Sequence, residues 1–485
     1  MKKRWTWAEV AARTSRATGV LVVVDDVVYD VSEFVDVHPG GAQVLLDAAG
    51  ADASAAFHAA HDPALLASFA DMAVGRILDD ASADTLGEGS MQERLARFQG
   101  SAAQGGAAPP KPTLSILDLH ERAVSNLPPA VLAYVDLGAE DEESLRENVQ
   151  AWAAFALRPR VLCDVSRCST TLRVKTKFIH IETDSPIGIA PFAGAAIVDP
   201  ERAEGAIAQA ATAQNALYVL PHYASVPLEE LALVAPRFLQ LYAPVCSAQD
   251  PSVDFDYLET IIAHVADHIS AVQAIVLTVD SPTFGNREKT YRNPAWIAQL
   301  QAERGGMPKL RALEAIDGIG KHPGHSPALS WKDIARLRDL CHTHGLGLVL
   351  KGILALPDAL HAASLGVDGL MISNHGGRQL DAALATASAA FGILPPLRNA
   401  FPELPVWVDG GIRRGKDVFR ALAMGCTGVL VGRPVLWGLA AEGQLGVQRA
   451  LKILKEELVT VMKLAGCARL ADIGPEHIAL GMNKL

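Results

Sequence analysis

Cysteine is scarce in this chain, and the cysteines present are not arranged in pairs. Six cysteines are spread over 485 residues, and none of them forms a C-x-x-C or C-x-x-C-H pattern. A disulfide scaffold, a zinc ribbon and covalent c-type haem attachment all need such spacings, so the sequence argues against all three. Buried free thiols in a reducing compartment are the expected state of these residues.

Long apolar runs and dense basic runs are also missing. No apolar stretch reaches the roughly 18 residues that a membrane-spanning helix needs, and no signal-peptide core follows the basic N-terminus. The 43 basic and 54 acidic residues give a formal net charge of −11, which argues against a nucleic-acid partner. We expect an intracellular soluble protein, cytoplasmic by default. The mitochondrial intermembrane space and the peroxisome are the alternatives, the latter because the final N-K-L loosely resembles S-K-L.

Composition divides the chain into three segments. Residues 1–78 form a compact block, in which a β-branched strand pair at 20–24 and 27–31 precedes short Ala-rich helical segments. Residues 79–112 are rich in Gly, Ala, Ser, Gln and Pro, a composition typical of a flexible linker. Residues 113–485 are expected to form one large domain.

The large domain alternates short apolar runs with helical stretches. The runs lie at residues 187–190, 217–220, 238–242, 274–279, 347–351, 369–373, 406–409 and 429–432. Each is almost continuously apolar, as are strands buried on both faces of a parallel sheet. Eight such units predict an α/β fold, a (β/α)8 TIM barrel. An open doubly wound sheet is the alternative, but no G-x-G-x-x-G follows the first strand. The connection from residue 280 to about 327 is unusually long and is a candidate active-site loop.

Two histidines of the N-terminal block have a spacing that suits iron ligation. His38 lies in an H-P-G-G turn, and His61 follows 23 residues later. Two neutral imidazoles on opposite faces of a haem fill both axial positions, which suits electron transfer rather than oxygen chemistry. His58 is the competitor for the second position, at a shorter spacing. The block resembles cytochrome b5, which implies a small α+β domain that binds haem b through His38 and His61.

Polar residues and glycines follow the predicted barrel strands at their carboxyl ends, where the catalytic groups of such barrels lie. Burying so many polar side chains without partners would be costly, so their presence indicates a functional site. The glycines beside Arg413 and Arg433 in the last two loops indicate phosphate binding by backbone N–H groups and positive charge. Ordinary turns are the alternative explanation of these glycines.

The motifs at these strand ends resemble the FMN-dependent 2-hydroxy acid oxidase and dehydrogenase family. The most specific motif is S-N-H-G-G-R-Q-L-D at 373–381, and the supporting motifs are L-T-V-D-S-P at 277–282, V-L-K-G at 349–352, D-G-G-I-R-R-G at 409–415 and V-G-R-P at 431–434. The resemblance extends from about residue 114 to the C-terminus. Together with the haem domain, it implies oxidation of a small L-2-hydroxy acid, L-lactate first, with electrons passing from FMN through haem b to an acceptor such as cytochrome c.

Two other functions stay open. An oxygen-using, glycolate-type oxidase with an accessory haem domain is one, and a haem electron carrier whose barrel is only a scaffold is the other.

The resemblance also assigns roles to residues of this chain. His375 is the expected base, oriented by Asp280, and Arg378 is the expected partner of the substrate carboxylate. The catalytic set is His375, Asp280, Tyr242, Arg378 and Lys351. The substrate-binding set is Tyr134, Tyr242, Arg287, His375 and Arg378. The FMN-binding set is Ala193, Gln240, Thr278, Lys351, Ser373, Asp409, Gly411, Arg413, Gly432 and Arg433. The resemblance further implies a homotetramer.

Three positions depart from the family pattern. Phe192 stands where a threonine is usual in the first-strand motif, and Pro221 and His222 stand where a serine pair is usual. These changes fall on the substrate pocket and on one expected flavin contact. His222 is either a second base in the pocket or a packing and hydrogen-bonding residue.

Overall fold

The chain divides into two compact units, Met1–Pro110 and Lys111–Leu485. The structure is a computed structural model that describes residues 3–6, 9–10, 13–15, 19–35, 38, 42–51, 53–54, 57, 66, 69, 71–77, 112–231, 237–292 and 324–481. The division falls inside the predicted linker, residues 79–112. Apart from Pro112, that linker lies outside the described residues.

The N-terminal unit is an α+β unit with a five-stranded sheet. Its strands are β1 (Lys3–Trp5), β2 (Thr14–Ser15), β3 (Gly19–Val24), β4 (Val27–Asp30) and β5 (Ala73–Ile77), in the order β1-β5-β4-β3-β2, and its helix α1 spans Ala42–Ala48. The predicted strand pair corresponds to the β3–β4 hairpin. Asp25 and Asp26 both have positive φ, 51° and 63°, as a two-residue type I′ turn requires.

Short strands lie outside the barrel of the second unit. They are β6 (Phe155–Leu157), β7 (Leu172–Lys175) and β8 (His180–Thr183), and near the C-terminus β17 (Ile478–Leu480) pairs with β6. The antiparallel β7–β8 hairpin covers the amino-terminal end of the barrel, where Ile179 packs against Gly347. The hairpin therefore leaves the carboxyl ends of the strands for a ligand site.

Eight parallel strands form the barrel. They are β9 (Ile187–Ile189), β10 (Val219–Leu220), β11 (Phe238–Leu241), β12 (Ala274–Thr278), β13 (Gly347–Ile353), β14 (Gly369–Ile372), β15 (Val406–Val408) and β16 (Gly428–Val431). The hydrogen-bonded order runs from β10 through β16 to β9. A bridge between Ile189 and Tyr218 closes the seam between β9 and β10. The predicted (β/α)8 barrel is therefore confirmed.

The strand limits agree with the predicted runs to within two residues, and the largest differences are at β10 and β13. β10 is shorter than the run 217–220, and Tyr218 lies outside this strand in a single bridge to Ile189 at the seam. β13 extends past Lys351 to Ile353, with an irregularity in the register between these two residues. Gly352 has φ 113° there, a backbone conformation that only glycine adopts without strain.

Helices surround the barrel. They are α2 (Ile116–Asn126), α3 (Pro129–Asp136), α4 (Glu143–Gln150), α5 (Ala203–Ala213), α6 (Leu228–Leu231), α7 (Phe255–His268), α8 (Glu288–Tyr291), α9 (Trp331–Thr343), α10 (Leu356–Ser364), α11 (Thr386–Ala400), α12 (Gly415–Ala423) and α13 (Arg433–Ala465). α13 is two helices joined by non-helical backbone at Glu442 and Gly443. Short 3-10 helices span Ala151–Ala154, Ala195–Ile197, Leu470–Asp472 and Pro475–His477.

The apolar core of the second unit lies in two layers. One cluster fills the barrel interior and includes Phe238, Met371 and Trp407. The other packs the outer face of the strands against the helices. Among the described residues, no helix combines the length and the apolar character needed to cross a bilayer.

Candidate active site

The carboxyl ends of the barrel strands bring predicted polar residues to one rim. Gln240 lies in β11, Thr278 ends β12 and Lys351 lies in β13, while Ser373 and Asp409 directly follow β14 and β15. All five residues are buried. Because parallel strands end at the same rim, residues that are far apart in sequence become neighbours here.

His375 and Asp280 form a partly buried imidazole–carboxylate pair at this rim. His375 Nδ1 lies 3.0 Å from Asp280 Oδ1, and the Ser281 hydroxyl donates to the same carboxylate oxygen at 3.2 Å. Burial would raise the pKa of Asp280, but the neighbouring His375 and Lys351 hold it below its ordinary value. The ionised carboxylate accepts the proton of Nδ1, which leaves Nε2 of His375 as the basic nitrogen.

The imidazole of His375 is neutral at neutral pH. Burial lowers the pKa of His375 below its ordinary value, although the charge of Asp280 opposes this change. A neutral imidazole with a free Nε2 lone pair is able to accept a proton from a ligand.

The loop after β14 holds His375 in a left-handed backbone conformation. The φ angle is 59° at His375 and 73° at Gly377, a region that residues with a side chain rarely adopt. A Cβ at Gly377 would lie 2.7 Å from the backbone nitrogen of Leu145, so only glycine fits. Asn374 and Asn148 exchange two amide hydrogen bonds of 2.7 and 2.9 Å. These contacts fix the loop despite its unfavourable backbone.

Arg378 and Arg287 bring positive charge to the same rim. Arg378 Nη1 donates to the backbone carbonyl oxygens of Tyr134 and Leu137 at 3.0 Å each, and its guanidinium lies 5.3 Å from the centre of the Tyr134 ring. Burial, reinforced by Arg287, lowers the pKa of Arg378 to about 9, so the group stays charged at neutral pH. Arg287 Nε is buried without a partner among the described residues. Two cations and an unused donor suit an anionic ligand.

The Tyr242 ring lies near those of His375 and His325. Its ring centre is 6.5 Å from that of His375 and 4.0 Å from that of His325, and both ring pairs are nearly parallel, at 18° and 13°. Burial raises the pKa of Tyr242, and Asp280 adds to the rise. The phenol therefore keeps its proton and is a hydrogen-bond donor at neutral pH.

A network of buried polar side chains lies beside these residues. Lys351 Nζ donates to the Ser373 hydroxyl at 2.9 Å and lies 3.4 Å from Asp409 Oδ2, while Gln240 Nε2 donates to the Thr278 hydroxyl at 3.0 Å. Asp409 Oδ1 is buried and has no hydrogen-bond partner among the described residues. Such an oxygen is costly, so the network fits a ligand whose hydroxyl groups would donate to it.

The two predicted phosphate arginines have different surroundings. The Arg413 guanidinium lies 4.8 Å from the centre of the Trp437 ring. Arg433 donates at 3.0 to 3.3 Å to the backbone carbonyl oxygens of Val135, Leu137 and Gly376. Burial lowers the pKa of both arginines to about 10, so both are charged at neutral pH. Arg433 therefore also holds the loop that carries His375, a contact that the motif gives no means of predicting.

The two predicted phosphate glycines also differ from each other. A Cβ at Gly432 would meet nothing within 4 Å, so open space lies beside the start of α13, where helical N–H groups favour an anion. A Cβ at Gly411 would lie 1.7 Å from the carbonyl oxygen of Asn148. Packing alone explains Gly411, and its contact with a phosphate stays a prediction. Ala193, in the loop after β9, likewise stays a predicted contact.

Sequence reasoning missed several residues of this site. His325 lies 2.9 Å from the Tyr223 hydroxyl through Nε2, and 3.1 Å from the Ser281 carbonyl oxygen through Nδ1. No motif marks His325, which lies near the end of the long connection after β12. Ser281 lies in the motif at 277–282 and Gln379 in the motif at 373–381, so these two motifs could have identified both residues.

The N-terminal unit has one of its two predicted haem ligands among the described residues. The His38 ring lies 5.7 Å from that of Phe34, which packs against Phe69 at 5.2 Å. An apolar cluster that includes these phenylalanines and Val22 surrounds this region, which suits a flat apolar cofactor. His61 and the competing His58 lie outside the described residues.

The sequence matches two family descriptions, one for each unit. "FMN-dependent dehydrogenase" matches residues 123–480, and "Cytochrome b5-like Heme/Steroid binding domain" matches residues 6–78. Among curated relatives, a peroxisomal (S)-2-hydroxyacid oxidase of Arabidopsis thaliana is 37% identical over 77% of this chain and 98% of its own. Glycolate oxidase 1 of Zea mays is 36% identical over 76% of this chain and 97% of its own.

Solved structures give the same relationship. The flavin-binding domain of baker's yeast flavocytochrome b2 has a TM-score of 0.65 at 29% identity, covering 81% of this chain and 92% of its own. A mandelate oxidase has a TM-score of 0.63 at 32% identity, covering 76% of this chain and 98% of its own. The buried hydroxyl-accepting network and the open space at Gly432 fit FMN. The chain therefore belongs to the FMN-dependent dehydrogenases that oxidise 2-hydroxy acids, and it carries in front of that domain a cytochrome b5-like domain that binds haem.

Proposed function

We propose that the protein oxidises a small L-2-hydroxy acid, L-lactate first, to the 2-oxo acid, and that the electrons leave through the haem to a one-electron acceptor such as cytochrome c. The observation that supports the chemical part of this proposal is the partly buried His375–Asp280 pair, with its 3.0 Å contact, beside Arg378 and Tyr242 on one rim.

The proposed substrate position follows from the charges of the rim. The carboxylate binds the guanidinium of Arg378, next to the Tyr134 ring, and Arg287 adds positive charge. Planar, bidentate recognition of a carboxylate is the task for which arginine is best suited. Tyr242, which keeps its proton, donates to the substrate hydroxyl or to the oxyanion that develops from it.

The proposed base is Nε2 of His375. It accepts the Cα proton, or the hydroxyl proton if hydrogen leaves the carbon as hydride, because both routes need the same base at the same place. Asp280 accepts from Nδ1 throughout, so it holds the imidazole in one tautomer and stabilises the imidazolium once the proton has moved. The Ser281 hydroxyl keeps the carboxylate oriented.

The polar network is the proposed FMN site. FMN, when bound, accepts the two electrons that leave the substrate carbon, and haem offers a one-electron exit. Lys351 supplies a fixed positive charge, held by Ser373 and Asp409. Gln240 and Thr278 offer hydrogen bonds, and the Arg413 and Gly432 region is the proposed phosphate position. Ala193, Gly411 and Arg433 remain proposed contacts, and His38 and His61 the proposed iron ligands.

A second function is favoured by the relatives. The curated relatives reported above are named as 2-hydroxyacid and glycolate oxidases, so an oxygen-using oxidase with an accessory haem domain is the competing proposal. A peroxisomal location belongs with this second function, since one of these relatives is named as peroxisomal. A homotetramer is also proposed from the family resemblance, and light scattering of the purified protein tests it.

An anaerobic stopped-flow experiment separates the two functions. Purified protein loaded with FMN and haem is mixed with glycolate, L-lactate, L-mandelate or a longer 2-hydroxy acid, and both chromophores are followed. Under the first proposal, the flavin absorbance bleaches and the reduced haem band then rises at a rate that supports cytochrome c turnover. Haem that stays oxidised, together with rapid turnover when oxygen is admitted, would overturn the first proposal and support the second.

A further inference from the structure

We infer that His222 is a positioning residue for Tyr242, and that its imidazole is committed to this task and does not act as a second base. The inference rests on the proposed function, because it concerns the tyrosine proposed to donate to the substrate hydroxyl. It concerns a position at which this chain departs from the family pattern, where a histidine replaces a small hydroxyl residue.

His222 Nδ1 accepts a hydrogen bond from the backbone of Tyr242. His222 follows β10 and is only 4% exposed, and the backbone N–H of Tyr242 donates to its Nδ1 at 3.2 Å. A backbone amide has no lone pair to offer, so this bond forms only when Nδ1 is unprotonated. The neutral imidazole therefore carries its single proton on Nε2.

His222 Nε2 lies beside the hydroxyl of Tyr257. Tyr257 of α7 places its hydroxyl 3.3 Å from His222 Nε2, and the two rings are nearly parallel at 10°. Burial and Asp254 raise the pKa of Tyr257 to about 12, so its oxygen stays a neutral phenol that accepts from Nε2–H. Asp254 also caps α7 by accepting from the Tyr257 backbone N–H at 3.0 Å. The imidazole is thus held between Tyr242, which directly follows β11, and the first turn of α7.

The backbone of His222 contacts a second residue of the site, Gln240. The His222 backbone N–H donates to Gln240 Oε1 at 3.1 Å, and Gln240 donates in turn to Thr278. Gln240 lies in β11 and Tyr242 directly follows this strand, so His222 holds the side chain of Gln240 and the backbone of Tyr242. His222 therefore couples the proposed flavin contacts to the proposed substrate contact.

These contacts decide between the two roles that the sequence leaves open for His222. A general base needs a lone pair that faces the substrate. The lone pair of His222 faces the Tyr242 amide, and protonation of Nδ1 would place two N–H groups against each other. A hydrogen-bonding role is the one that the geometry supports.

Two substitutions of similar polarity separate positioning from simple packing. Asn places its amide oxygen near the location of Nδ1, whereas Gln places its polar atoms near that of Nε2. We expect His222→Asn to keep kcat within about threefold of the parent, and His222→Gln to lower kcat by about tenfold or more, because small displacements of a reacting group are costly. The KM should change less than kcat. Equal losses in the two variants would contradict the inference.

Hydrogen–deuterium exchange gives a readout that does not depend on turnover. With residue resolution, the Tyr242 amide should be protected in the parent and in His222→Asn, and should exchange at least about tenfold faster in His222→Gln, where its acceptor is lost. An amide that stays equally protected in both variants overturns the inference, whatever the kinetics show.

The Tyr242→Phe variant separates this inference from the proposed function. If His222 acts through Tyr242, the double variant His222→Gln/Tyr242→Phe should have the kcat of Tyr242→Phe alone, because the two changes remove one interaction. Multiplicative losses would contradict the inference. A Tyr242→Phe variant with full kcat, together with the expected exchange pattern, would instead remove Tyr242 from the proposed mechanism and leave its anchoring by His222 in place.

Discussion

At the scale of single residues, the site depends on one histidine whose surroundings keep it neutral. Burial lowers the pKa of His375, and Asp280 keeps its proton on the nitrogen that points away from the proposed substrate. The His375 ring lies 6.5 Å from that of Tyr242, and Arg378 acts on it electrostatically, so removing the imidazole removes the base placed beside both residues.

We expect His375→Gln to lower kcat for 2-hydroxy acid oxidation by about 10² to 10⁴-fold, the usual contribution of a positioned base. Binding of the 2-oxo acid product should change little, because Arg378 is intact. Stopped-flow bleaching of the flavin measures the first quantity, and an absorbance titration with pyruvate measures the second. The exposed His180→Gln is the matched control. Bleaching at the parental rate would exclude His375 as the base.

The pH dependence of kcat/KM should follow the His375 pKa, which lies below its ordinary value of about 6.5. As the pH falls through this pKa, the free enzyme takes up a proton on His375 and loses its base, so kcat/KM declines on the acid side only. Asp280→Asn removes the charge that favours the imidazolium, so the acid limb should move to lower pH while kcat falls. A limb above pH 7, or one that Asp280→Asn moves upward, contradicts this assignment.

Residue identities were predictable where a motif and a strand end coincide. His375, Asp280 and Lys351 stand in short motifs after apolar runs, so both their chemistry and their common rim follow from the sequence. His325 and the carbonyl contacts of Arg433 were not predictable, because tertiary contacts between distant segments create them. Gly411 shows that a motif residue can have a second explanation. Its position predicts a phosphate contact, but close packing against Asn148 alone requires a glycine there.

At the scale of elements, two loops that follow β12 and β14, strands separated in the barrel by β13, depend on each other. The loop after β12 carries Asp280 and Arg287, and the loop after β14 carries His375 and Arg378. Gln379 joins them, because its Nε2 donates to the carbonyl oxygens of Asp280 and Thr283 at 3.1 and 2.8 Å, and its Oε1 accepts from a backbone N–H at 3.1 Å. The distance between the His375 imidazole and the Asp280 carboxylate is thus set partly by the side-chain amide of Gln379, which bonds to backbone atoms of the β12 loop.

The loop tether predicts a defect in Gln379→Glu. A carboxylate cannot donate a hydrogen bond to the carbonyl oxygens of Asp280 and Thr283. Its negative charge would repel these oxygens, so the loop that carries Asp280 would move away. We expect kcat/KM to fall about tenfold or more, with the acid limb of the pH profile shifted. The control is Gln273→Glu at the amino-terminal end of the barrel, where the side chain makes one hydrogen bond with the described residues and accepts it from the His180 N–H. Parental kinetics in Gln379→Glu would show that the tether does not set the geometry.

The sequence predicted strands better than loops for a physical reason. Strands such as β11 and β12 are buried on both faces, so burial imposes an apolar run that can be read directly. The short β10 lies at the barrel seam, where pairing and not composition sets its length. Loop contacts such as those of Gln379 depend on which backbone atoms lie near the side chain in the folded chain. Amino-acid composition does not predict this.

At the scale of the whole molecule, each unit carries its own motif, which is why the order of the two domains was predictable. A haem unit joined to a 2-hydroxy acid dehydrogenase matters chemically because the substrate gives up two electrons, whereas cytochrome c takes one at a time. Both proposed functions include the haem domain, and they differ in whether the electrons leave through it. A variant that removes haem and leaves the barrel unchanged addresses the question in the full chain.

We expect His38→Ala to lose the low-spin Soret band, since one proposed axial ligand is missing, and to keep anaerobic flavin bleaching by L-lactate at the parental rate, since no residue of the barrel is altered. Cytochrome c reduction should then fall at least about 10²-fold, because the one-electron exit is gone. Steady-state cytochrome c and oxygen assays on the same preparation measure both outputs, with His180→Ala as the matched control. If His38→Ala loses its haem and yet reduces cytochrome c at the parental rate, the electrons do not leave through haem. Unchanged, rapid oxygen consumption in both proteins would then assign the enzyme to the oxidases.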